Sequence, residues 1–210
     1  MKHIVDPKKI EEKSFRIIDG LLKSSKLPPR EKAVAARVIH ATTDPDYAKG
    51  LIFHPRAIES GLNAIRNGKD IMCDVGMVEA GINKKILSGF GGKVICLIND
   101  EAVVRQAARL NIARAIVAMR KAAPRMNGAI VAIGNAPTAL FEVCAMVRAG
   151  KAQPALIIGI PVGFVGAAES KKELLLLGLP YITNAGTKGG SSVAAAITNA
   201  LLKLAAIANG

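Results

Sequence analysis

Three groups of residues have the types and spacing to do chemistry. The first is His40, in the run Arg37-Val38-Ile39-His40-Ala41-Thr42. An imidazole titrates near neutral pH, so it is the side chain best suited to giving up and recovering a proton under ordinary conditions. The simpler role for the same residue is a helix-end histidine that answers the helix dipole. The second group is the glycine-rich turn Gly186-Thr187-Lys188-Gly189-Gly190-Ser191, just before a helical stretch. Glycine lets backbone N–H groups approach a ligand closely. Beside a helix N-terminus and an ammonium, such groups can hold a carboxylate or a phosphate; the plainer reading is a tight turn. The third is Arg114, whose guanidinium can grip a carboxylate through paired hydrogen bonds, or lie in solvent on a helix face.

Other chemistries are poorly served. Lys188 precedes the glycine pair, so the turn is not a nucleotide-binding P-loop, and Gly89-Phe90-Gly91-Gly92 stands before a β-rich run where a dinucleotide fingerprint must follow one. His3 lies near the start and His54 precedes Pro55, a turn setting. No His, Cys, Asp and Glu residues have the spacing of metal ligands, so no metal is expected. Cys73, Cys96 and Cys144 sit in apolar stretches and read as small buried hydrophobes. Three cysteines give no paired framework, which points to a reducing cytoplasm.

The elements that must position these residues follow from apolar periodicity. Residues 7–25 place Ile10, Phe15, Ile18 and Leu22 on one side, and residues 30–42 follow Pro28 and Pro29, so two amphipathic helices open the chain. From Asp70 onward, short β-rich runs at 71–75, 94–98, 129–133, 156–160 and 181–183 alternate with helical stretches, ending in an Ala-rich helix at 191–208. The runs are apolar on both faces, as strands of a parallel sheet covered on both sides must be. The expectation is a single doubly wound α/β domain over residues 1–210. Its five-stranded, mostly parallel sheet would be flanked by helices and preceded by the two N-terminal ones. Such sheets bind ligands at the carboxyl ends of their strands, which here carry Asp74, Asn99, Asp100 and the turns at 134–138, 161–163 and 186–191.

Lys and Arg number 29 against 16 Asp and Glu, a formal net charge of +13, so an anionic partner is expected. Nucleic acid fits poorly. The lysines are scattered, and two Tyr, five Phe and no Trp leave few platforms for bases. The longest uncharged run, 152–168, contains Pro154, Pro161 and several glycines, so it reads as strand and turn and not as a membrane span. Residues 1–13 are polar and lack the apolar core of a signal peptide.

The stretches 37–44 (RVIHATTD), 74–82 (DVGMVEAGI), 131–141 (VAIGNAPTALF), 161–171 (PVGFVGAAESK) and 186–191 (GTKGGS) occur in an order and spacing that closely resemble the precorrin-8X methylmutases, also called cobalt-precorrin-8 methylmutases, of cobalamin biosynthesis. The likeness runs over nearly the whole chain. It implies a cytoplasmic isomerase that moves a methyl group from carbon 11 to carbon 12 of a corrinoid macrocycle, giving hydrogenobyrinic acid or its cobalt counterpart, with no external cofactor. It further implies His40 as the acid that protonates the ring system near the migrating methyl. Ser14, Asn83, Arg114 and the turn with Lys188, Gly189, Gly190 and Ser191 are implied to line the pocket, in a homodimer with the site near the subunit boundary. Thr187 stands where the family usually has Arg, Thr43 where Gly is common, and His54 where Ser is common. The alternative is a corrinoid carrier that has lost catalysis. Carriage needs no acid, so the intact RVIHAT run favours the enzyme.

Overall fold

The computed structural model describes residues 5–207, so His3 and Ala208 lie outside the described residues. The sheet is built from β1 (Leu51–Phe53), β2 (Ile71–Cys73), β3 (Val94–Cys96), β4 (Ile130–Ile133), β5 (Leu156–Gly159) and β6 (Tyr181–Asn184). Their order is β1-β6-β5-β4-β2-β3. The strands from β2 onward run parallel, and β1 closes one edge antiparallel to β6, with Leu51 opposite Asn184. The sheet therefore has six strands where the apolar runs indicate five. The missing strand is three residues between Gly50 and Pro55, too short to show a period, and it exists because β6 offers an edge to pair with.

Alternate residues of each central strand feed separate cores. Ile71, Cys73, Ile130, Ala132, Leu156 and Ile158 point to one side, and Met72, Val131, Ile133 and Ile157 to the other. Both faces are apolar because both are covered. The first is packed by α1 (Pro7–Leu21), α2 (Pro29–Thr42), α4 (Ala57–Arg66), α5 (Gly76–Gly81), α6 (Lys84–Gly89) and α11 (Ser191–Ile207). The second is packed by α7 (Glu101–Leu110), α8 (Arg114–Ala122), α9 (Pro137–Arg148) and α10 (Ala167–Leu175). A short α3 (Tyr47–Gly50) leads from α2 into β1.

Local chemistry sets the helix ends that matter for the site. Asp6 caps α1, its carboxylate accepting from the Lys8 N–H at 2.9 Å. Pro29 supplies a preset φ at the start of α2, and α2 stops at Thr43, which adopts a left-handed conformation with φ 56°. From β2 the chain moves outward to β3, and from β4 it moves the opposite way to β5. The point where the winding reverses thus lies between β2 and β4.

Candidate functional site

The reversal point, where a doubly wound sheet ordinarily receives its ligand, is filled by the protein itself. Asp74, just beyond β2 and fully buried, accepts hydrogen bonds from the backbone N–H groups of Gly134 (3.0 Å), Asn135 (2.8 Å) and Ala136 (2.7 Å). Burial raises its pKa against the opposing pull of those donors. A side chain on Gly134 would collide with Val78 and Ser191, at 2.7 and 2.8 Å. The carboxylate of Asp74 occupies the place a bound anion would take at the start of α9.

An open cavity lies instead on the α1–α2 side. It measures about 260 Å³ and is lined by Ser14, Ile18, Leu21, His40, Thr43 and Pro45, among others. His40 is exposed in the last turn of α2, with its ring stacked on Phe15 at a centroid distance of 4.9 Å and an interplanar angle of 19°. Arg37, one turn earlier, lays its guanidinium over the same Phe15 ring at 4.4 Å and pairs with Glu11 at 3.0 Å. α1 is thereby fixed across α2 where the imidazole emerges. Ser14 donates its hydroxyl proton to the Ile10 carbonyl at 2.9 Å, which leaves the oxygen free to accept.

The left-handed Thr43 turns the chain back so that Asp44 and Asp46 meet the glycine-rich turn. Lys188 Nζ donates to both, at 2.8 and 2.6 Å. The two carboxylates hold Lys188 above the ordinary lysine range, and hydrogen bonding to Lys188 holds Asp44 below the ordinary aspartate range. Residues 43–46 therefore border the His40 cavity and anchor the turn. Gly189 is required by close approach, since a Cβ there would lie 2.5 Å from the carbonyl oxygens of Ile160 and Pro161. Beneath the turn, the buried Lys171 donates to the carbonyls of Gly186 (3.0 Å) and Lys188. Burial pushes its ammonium down to about 8.

Two other expected pocket residues stand elsewhere. Asn83 caps α6, its side chain accepting from the Ile86 N–H at 3.1 Å, and its own N–H donates to Asn199 at 2.8 Å. Arg114 opens α8, near the C-terminal end of β3, where its polar partner is Asn99 at 3.5 Å. β3 is four strand spacings from β6, roughly 19 Å. Cys73, Cys96 and Cys144 are unpaired, and burial raises all three thiols, Cys144 to about 12, so they are not poised as nucleophiles. Among the described residues no three His, Cys, Asp or Glu side chains gather to hold a metal, and no helix is long and apolar enough to cross a membrane.

Residues 9–204 match the family described as Precorrin-8X methylmutase. The chain belongs to the precorrin-8X methylmutase family. A cobalt-precorrin-8 methylmutase of Priestia megaterium is 47% identical over 201 residues, covering 96% of this chain and 89% of that protein. A precorrin-8X methylmutase of Pseudomonas aeruginosa is 41% identical over 201 residues, covering 95% and 96%. The crystal structure of a precorrin-8X methylmutase from Thermus thermophilus superposes with a TM-score of 0.90 at 40% identity, covering 96% of this chain and 97% of that one. Membership makes the chain an isomerase that transfers a methyl group within one molecule.

Within this methylmutase fold, the structure brings Ser14 and His40 together in one cavity and sets Lys188, Gly189, Gly190 and Ser191 beside it. It does not bring Asn83 or Arg114 there in a single copy. Sequence reasoning missed Asp44 and Asp46 as partners of Lys188, and Lys171 and Asn184 beneath the turn. For Lys171 a signal existed: Ala167, Lys171 and Leu174 follow the i, i+4, i+7 spacing of a buried helix face.

Proposed function

We propose that this methylmutase acts in the cytoplasm on precorrin-8X or its cobalt form, moving the methyl group from carbon 11 to carbon 12 with His40 as the proton donor. The observation that carries the reading is the placement of His40, an exposed imidazole set flat against Phe15 at a cavity adjoining the 186–191 turn. Protonation of the conjugated ring by His40 draws electron density from carbon 12, the carbon that is to receive the methyl. The methyl then migrates with its bonding pair, and return of the proton to His40 restores the neutral chromophore. No atom is gained or lost, and any cobalt travels as part of the substrate.

The macrocycle carries acetate and propionate side arms, which suit a chain of net charge +13 and a turn of exposed backbone amides. Phe164 and Val165, 96% and 88% exposed, follow Gly163, whose N–H donates to the Thr187 carbonyl at 3.2 Å. They offer apolar surface to the ring beside the anionic contacts. A cavity of about 260 Å³ lies below the roughly 300–1,000 Å³ of clefts that enclose drug-sized ligands, so one copy does not enclose a corrinoid. We place the completed site at the boundary of a homodimer, with Arg114 supplied by the second copy. Incubating the protein with metal-free and with cobalt-containing substrate while following visible absorption tests the reaction and selects the natural substrate. A carrier would bind either one with no spectral conversion.

A further inference from the structure

Every carbonyl from Ala185 to Lys188 in the glycine-rich turn accepts a hydrogen bond from the protein. Asn184 Nδ2 donates to the carbonyls of Ala185 (3.2 Å) and Lys188 (3.0 Å). Lys171 Nζ donates to those of Gly186 (3.0 Å) and Lys188, and the Gly163 N–H donates to that of Thr187 (3.2 Å). Four successive carbonyls are thus held by protein donors. In a trans peptide the C=O of one residue and the N–H of the next point in opposite directions. Committing the carbonyls of residues 185–188 to these donors therefore turns the N–H groups of Gly186, Thr187, Lys188 and Gly189 away from them. Among the described residues, none of those four N–H groups has a protein acceptor.

Holding this arrangement is costly in ways that fold stability alone does not explain. Lys171 is only 2% exposed and its hydrogen-bond partners are carbonyls, with no carboxylate among them. A buried ammonium without a counter-ion opposes folding. Asn184 is buried, and its Oδ1 has no partner among the described residues, because its amide nitrogen is committed to the two turn carbonyls. Left without these donors, glycine-rich peptide units flip readily and would present carbonyl oxygens, which repel a carboxylate.

We propose that Lys171, with Asn184, is a positioning residue of the reaction. It fixes the 186–189 turn with carbonyls inward and amides outward, and sets a positive charge behind them, so that the turn receives one carboxylate side arm of the substrate. This rests on the anionic-corrinoid reading of the site. The side arm determines where the ring sits relative to His40, although Lys171 touches neither the ring nor the migrating methyl.

The test compares cobyrinic acid with its fully amidated counterpart by absorption titration, using wild type, Lys171→Met and Asn184→Ala, each checked for folding by circular dichroism. Wild type is expected to prefer the acid, and each variant to lose about tenfold of that preference, with the loss in turnover falling on KM more than on kcat. If Lys171→Met fails to fold, Asn184→Ala carries the same test from the opposite side of the turn. Variants that keep the full preference of the wild type overturn the positioning role while leaving the anionic site intact. A wild type that does not distinguish acid from amide overturns the reading of the site itself, and the positioning role with it.

Discussion

The imidazole of His40 lies flat against the ring of Phe15, 4.9 Å between centroids, so one of its faces is covered while the residue remains exposed to solvent. The stack leaves one face and the ring edge to meet a substrate, and it fixes the plane in which a proton is handed over. His40→Ala is expected to abolish conversion and leave corrinoid affinity nearly intact, because proton transfer stabilises the transition state and contributes little to holding the ground state. Stopped-flow absorption for turnover and titration for affinity separate the two. Retention of most of kcat would move the acid role elsewhere.

The Lys188 latch has a predictable pH window. Asp44 is held below its ordinary pKa, so its contribution is present above the usual aspartate range and is lost as pH falls through the lowered value. Lys188 is held above its ordinary pKa, so its contribution is present below the usual lysine range and is lost only as pH rises through the raised value. The latch is therefore intact around neutrality and opens in acid. Lys188 and Asp46 are exposed and Asp44 is half-buried, so salt weakens it as well. Lys188→Ala, the paired change Asp44→Asn with Asp46→Asn, and all three together should raise KM to similar extents, the combined change being no worse than either part. Additive losses would show that Lys188 serves the substrate directly.

Thr43 holds φ 56°, a conformation that strains a β-branched residue and suits glycine. Thr43→Gly should stabilise the protein by about 1 kcal/mol, the relief of strain exceeding the added freedom of the unfolded chain. Urea denaturation measures this. A loss of stability would mean that side-chain packing at the cavity wall outweighs the strain.

Arg114→Ala should weaken substrate binding by roughly 1.5–3 kcal/mol if its guanidinium grips a side arm. Supply from the second copy makes a stronger prediction. Mixing inactive His40→Ala with Arg114→Ala under conditions of subunit exchange, at a substrate concentration too low for Arg114→Ala alone to turn over, should restore about a quarter of wild-type activity, since half the dimers are hybrids and each hybrid has one complete site. A mixture as inactive as its components would place Arg114 outside the site.

The layered fold is legible because burial on both faces leaves uninterrupted apolar runs, and five of the six strands lie within or overlap the runs so marked. β1 was not legible. Its three residues form a strand only by pairing with a segment more than a hundred positions away, and no local pattern encodes that. The proximity of His40 and Ser14 follows from how α1 crosses α2, a relation fixed by Phe15, Arg37 and Glu11 and visible only in three dimensions. The sequence marks Asp74 as a residue at a strand end, but its role as an internal anion depends on Gly134, Asn135 and Ala136 arriving from the end of the neighbouring strand. The helical spacing that marks Lys171 as inward-facing is easily discounted, because lysine is ordinarily a surface residue.

The helix that ends the described chain, α11, packs against α2, α4 and α5, and β1 waits for β6. Val34, Ala35 and Val38 of α2 are fully buried only when α2 and α11 have met. During synthesis, the first third of the protein leaves the ribosome with its apolar faces uncovered and keeps them so until residues beyond 190 follow. Covering α2 and pairing β1 thus wait on segments more than a hundred residues further along, and while those faces stay open long-range closure competes with aggregation or chaperone capture.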